Sequence, residues 1–251
     1  MVTAVIRSNR SPARTRRRSR SPFFTLLGLL LLVLAIGGFW PQYFSAAIGG
    51  TAEPTTRFWL IHLHAALFVA WLVAYIVQSA LVLSGRTAIH LKTGPWLAGF
   101  GFTIALVGLF AASRLAARFG ERMRDFEAGA AFVFFPLIDM VYFAGFLAVA
   151  VAFRKKPEIH KRAMFVATFS IAVVGWGRLV ARLGYDSPWV WQPLILAPLL
   201  IVIVYDLAVR RKVFAVMAAG LFVHLARLNA EGFVESEWWL PVGRALIAPF
   251  R

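Results

Sequence analysis

The 251-residue chain has no cysteine and few acids, with 11 Asp and Glu against 27 Lys and Arg. Without a thiol there are no disulfides, thiolate zinc sites, iron–sulfur clusters or cysteine nucleophiles. Charge of either sign is scarce as well. Only 15% of residues are charged, where soluble domains carry about a quarter, and this excludes an ordinary cytosolic enzyme. Glycine-rich phosphate loops, GxSxG elbows and HExxH helices are also missing, which removes the common nucleotide-binding, serine-hydrolase and zinc-protease signatures. What fills the chain is apolar: 60% hydrophobic residues, among them 23 Phe and 9 Trp. Such a composition excludes a disordered polypeptide and points to a bilayer.

Crossing roughly 30 Å of hydrocarbon takes about 20 apolar residues in a helix. Seven stretches qualify or nearly do: 23–40, 58–84, 93–113, 128–153, 163–180, 189–209 and 213–228. They are too long and too little alternating for barrel strands, so the expected fold is all-α, a polytopic membrane bundle of about seven helices over 23–228. Small residues such as Gly99, Gly101 and Gly108 are suited to close helix packing. The seventh stretch is the shortest, and residues 229–251, rich in Glu and Trp, read as an interfacial tail.

Residues 1–22 hold seven arginines and no acid. They read as a disordered tail that meets anionic lipid headgroups and not nucleic acid, because no base-reading module follows. Ala35-Ile36-Gly37 resembles a signal-peptide cleavage site, but the uncharged run continues through Ala52 and favours an uncleaved anchor. With the amino terminus inside, 17 of the 27 basic residues fall on the inner side and 10 on the outer, the bias expected of a cytoplasmic amino terminus. Seven of the nine tryptophans then lie near outer span ends, where an indole buries its ring and keeps its N–H wet.

Ionisable groups inside spans are expensive, so function is sought there. Asp139 stands at the middle of the fourth stretch, Gln78 near the inner end of the second, and Asp206 near the inner end of the sixth. His64, Arg178 and His224 all belong to the outer half. His64, Asp139, Arg178 and His224 are therefore candidates for one buried polar site, with Gln78 and Asp206 as further members. His62 and His64 stand about 200° apart on a helix and cannot share one metal ion. His90 and His160 lie together at the inner face, and two imidazoles at one level are a candidate pair of axial ligands for a b-type haem.

The pieces Gly38-Phe39-Trp40-Pro41-Gln42-Tyr43-Phe44, His64-Ala65 with Gln78, Gly85-Arg86 and His90, Phe135-Pro136-Leu137-Ile138-Asp139, and Pro157-Glu158-Ile159-His160-Lys161-Arg162-Ala163-Met164 resemble a family of uncharacterised bacterial multi-spanning inner-membrane proteins. A looser similarity is to b-type cytochromes of the ascorbate-reducible kind, which implies haem held between helices. That pattern wants a second histidine pair on the second and fourth spans, where the fourth has Asp139 instead. Three readings stand at this level: a membrane protein with a buried His/Asp/Arg site, redox-linked through His90 and His160; a proton-coupled small-solute transporter with Asp139 as its coupling carboxyl; and a non-catalytic assembly scaffold.

Overall fold

The computed structural model describes residues 21–49 and 59–250. The arginine-rich stretch from Arg7 to Arg20 lies outside the described residues. Helix α1 (Phe23–Phe39) runs through a π turn (Trp40–Phe44) into α2 (Ser45–Gly49). The turn begins around Pro41, whose missing N–H disrupts the regular ladder. There follow α3 (Trp59–Leu83), α4 (Thr87–Met123), α5 (Phe126–Phe132), α6 (Phe134–Ala152), α7 (Pro157–Ala181), α8 (Pro188–Arg210), α9 (Ala215–Leu228), α10 (Glu231–Val234) and α11 (Leu240–Ile247).

Six helical segments are long and apolar enough to cross a membrane: Phe23–Gly49, Trp59–Leu83, Thr87–Met123, Phe126–Ala152, Pro157–Ala181 and Pro188–Arg210. The chain is an all-α integral membrane protein. The seventh expected span contains α9, whose 14 residues reach about 21 Å at the rise of an α-helix, too short to cross alone. After Leu228 the chain turns at Asn229, and α10 and α11 continue on the outer side of that turn. Ala230, Val234, Trp239 and Ile247 bury themselves against Ala116, Ala117, Ala130 and Val133 of α4 and α5. Trp239 Nε1 donates to the Ala130 carbonyl at 3.0 Å, and Arg114 Nη1 to that of Phe250 at 2.9 Å. Arg244 pairs with Glu127 at 2.8 Å. The chain after α8 is thus broken at Asn229, with α10 and α11 folded onto α4 and α5.

Helices α5 and α6 join at Val133, whose backbone stays helical: its N–H donates to the Gly129 carbonyl and its own carbonyl accepts from Leu137. Pro136, with no N–H to offer the carbonyl of Phe132, removes one rung from a continuous pass over Phe126–Ala152. Helix α7 stands at the centre, packed against α1, α3, α6, α8 and α9. Its crossing with α1 is backbone to backbone. A Cβ on Gly38 would overlap the Gly175 carbonyl, and one on Gly175 would come within 2.7 Å of Ala35 Cα, so only glycine fits at either position. Of the small residues singled out on α4, Gly101 is pressed by Trp71 and Leu147 and Gly108 by Met140, whereas Gly99 faces open space.

Candidate functional site

A cavity of about 720 Å³ opens in the outer half of the bundle between α1, α3, α4, α6 and α7. Its walls are mostly apolar, and His64, Asp139 and Arg178 all line it. The structure therefore brings three of the expected polar residues to one space. His224 sits one layer behind. Its Nδ1 donates to the Gly220 carbonyl at 2.8 Å, and its Nε2 lies 3.2 Å from Ser170 Oγ, which itself lines the cavity. Ser170 has one hydroxyl proton for two acceptors, that nitrogen and the Val166 carbonyl at 3.0 Å. Tyr142 and Phe169 enclose the imidazole of His224.

Asp139 is 1% exposed and is paired with Arg227, the last basic residue of α9. The Nε atom lies 2.6 Å from Oδ1, and Nη2 donates to Oδ2 at 2.8 Å. The guanidinium also rests over the Phe135 ring, 5.4 Å from its centroid. This ion pair ties α6 to the end of α9, next to the turn at Asn229. A helix end at membrane depth is tolerated where it is buried in protein or lines a cavity.

His64 and His62 point apart, as their separation around the helix requires. His62 Nδ1 lies 2.9 Å from the hydroxyl of Tyr43. His64 stacks on Phe68 with ring centroids 3.9 Å apart, and its Nδ1 is buried with no hydrogen-bond partner among the described residues. Arg178, in the last turn of α7, meets the Phe39 ring at 4.9 Å. Among the described residues it has no carboxylate partner. Its neighbour Arg182 is committed elsewhere: it donates to the carbonyls of Gly37 and Gly38 and to Gln42 Oε1, satisfying the end of α1.

Gln78 and Asp206 lie elsewhere, towards the inner face. Gln78 Nε2 donates to Thr93 Oγ1 at 2.7 Å and joins α3 to α4. Asp206 clamps Arg162, both fully buried: Nε donates to Oδ2 at 2.6 Å, and Nη2 pairs with Oδ1. Arg162 also donates to the carbonyl and carboxylate of Glu158 at 2.7 and 2.8 Å and packs 3.7 Å from the Phe214 ring centroid. Asp206 therefore fixes α7 to α8 and contributes nothing to the cavity.

His90 and His160 do face one another across α4 and α7, with ring centroids 6.2 Å apart and planes at 76°. His160 Nδ1 donates to the Ala150 carbonyl at 2.8 Å, leaving Nε2 as the free nitrogen. The separation and angle of the two rings are those of an edge-to-face contact. A second such pair is not formed among the described residues, because His62, His64 and His224 take the separate contacts given above. Nor do the described residues gather three potential metal-binding side chains at any point.

Arg162, Ser170 and Arg227 are the residues that sequence reasoning misses. Both arginines sit near span ends, where a basic residue ordinarily marks the membrane border. The available signals were the spacing of Glu158 and Arg162, one turn apart on a helix, and the need of Asp139 for a cation. No known protein family, curated protein or solved structure matches the chain.

Proposed function

We propose that the protein is a carrier that takes a small solute from the outer side into this cavity and couples its movement to protonation of Asp139. The observation that carries the reading is the buried Asp139–Arg227 pair beside the cavity, at the end of α9. Ionisable residues within spans mark ion and substrate pathways, and secondary transporters place coupling-ion sites at helix ends near mid-membrane. Protonating Asp139 would release Arg227 and loosen α6 from α9. The split of basic residues supports a cytoplasmic amino terminus, and the motif resemblance supports a bacterial inner membrane.

The chain's freedom from cysteine gives a direct test. Ala65→Cys and Val174→Cys on the cavity wall should react with a membrane-impermeant maleimide from the outer side in right-side-out vesicles. A carrier also exposes them, more slowly, in inverted vesicles, and Asp139→Asn should abolish labelling from one of the two sides. Labelling from the outer side alone in the parent protein would make the cavity a fixed pocket and remove the transport reading.

A second reading rests on the closeness of His90 and His160, which would hold a b-type haem if their rings turned to ligate it. Haem held there would carry single electrons, while His160, oriented by Ala150, would be fixed in its ligating tautomer. Oxidised and dithionite-reduced visible spectra of protein expressed with ample haem decide it. A low-spin b-type spectrum lost in both His90→Ala and His160→Ala is expected; a colourless, folded, monodisperse preparation removes this reading.

A further inference from the structure

We infer that the occupant of the outer cavity is a single-chain amphiphile whose oxyanion head docks on Arg178 and whose apolar body lies among Phe39, Phe68, Val69 and Val174. The inference rests on the cavity being a ligand site and adds the chemical class of the ligand. Three cations line the space, Arg118, Arg122 and Arg178, against two acids, Glu121 and Asp139. Asp139 is already neutralised by Arg227 and Arg118 has a contact of its own, so among the described residues Arg122 and Arg178 stand against Glu121 and the lining keeps an excess of positive charge. Arg178 concentrates it. The guanidinium stands in the last turn of a span with a phenyl ring as its described neighbour, while Arg182 one turn on is taken up by α1 carbonyls. Arg178 is exposed and lines the cavity, and a planar guanidinium pairs with a carboxylate or phosphate through two parallel hydrogen bonds.

The remaining walls exclude a wholly polar solute. Aromatic and aliphatic side chains dominate them, and a volume of about 720 Å³ is in the range that holds one molecule of drug-like size. A cationic ligand would meet the excess of guanidinium groups, and a neutral one would leave Arg178 uncompensated. The buried, unpartnered Nδ1 of His64 supplies one further polar contact for whatever enters. Carboxylate and monophosphate heads share this chemistry, and the two are separated by competition.

The test uses the full chain in zwitterionic phosphatidylcholine nanodiscs and radiolabelled laurate as the probe. Laurate should bind saturably, compete with dodecyl phosphate and resist competition by dodecanol, which has the same tail without the charge. The stronger competitor of the two acids identifies the head. Arg178→Gln should weaken laurate by about tenfold or more, Arg178→Lys should keep most of the affinity, and Ala65→Phe, which fills the cavity from α3, should block binding. Equal competition by dodecanol, or unchanged affinity in Arg178→Gln, overturns the oxyanion inference; if Ala65→Phe still blocks, the cavity remains a ligand site. Laurate binding unaffected by Ala65→Phe overturns both, because the head would then dock outside the cavity. An absence of laurate binding overturns the inference alone, since maleimide labelling judges the cavity separately.

Discussion

A carboxylate at mid-depth in a bilayer stands only if something nearby cancels it, and Asp139 has Arg227 at 2.6 and 2.8 Å. Removing one member of a buried pair leaves the other uncompensated and costs about 3–5 kcal/mol. Asp139→Ala and Arg227→Ala should each lower the thermal midpoint in detergent. The combined Asp139→Leu, Arg227→Met variant should recover much of that loss, because no charge is left buried. If the pair matters for coupling, the combined variant regains stability and stays inactive in transport. Equal midpoints for the single and combined variants would show that the pair contributes little to the fold. The same arithmetic applies to Asp206, whose replacement by Ala strands the fully buried Arg162; here the expected loss is stability alone, with cavity labelling retained in whatever protein folds.

At the scale of helices, two kinds of contact decide the architecture. The α1–α7 crossing admits no side chain at Gly38 or Gly175, so Gly175→Leu should cost at least about 3 kcal/mol by forcing the backbones apart. Gly99→Leu, facing open space, should be tolerated; comparable losses of monodisperse protein for both would contradict the assignment. Much of this level was legible in the sequence. Apolar runs located all six long spans, the second, fourth and sixth to within two residues at either end, since a bilayer imposes length and composition directly. The other three helices extend past their apolar runs, α4 through the charged stretch after residue 113 out to Met123. The break at Asn229 was legible, because the seventh stretch ends at residue 228 and Glu231, Glu235 and Glu237 follow; the packing of residues 230–247 on α4 and α5 was not. The cavity was half legible: depth along each span placed His64, Asp139 and Arg178 at compatible levels. Which helix faces met, and hence that Gln78 and Asp206 lie apart, depended on packing that spacing does not encode.

For the whole molecule, the six long passes among the described residues put Phe23 and Arg210 on the same side of the membrane, and a seventh crossing completed by α9 to α11 would put Phe250 on the other. Alkaline phosphatase joined after residue 250 should then be active in a bacterial host and inactive when joined after residue 212, in the loop between α8 and α9. Equal activity at both points would mean that α9 and its continuation fold back without crossing. The pairing that holds this last pass in place also imposes an order in time. Asp139 is synthesised 88 residues before Arg227, an interval of roughly 4–18 s at bacterial and eukaryotic elongation rates. During that interval α6 sits in lipid with its carboxylate unmatched, and α7, α8 and α9 must arrive before the bundle can close around it. Arrest of translation after Arg210 and before Arg227 would leave a chain with all six long spans made and one unmatched acid, a species that membrane quality-control proteases are suited to detect.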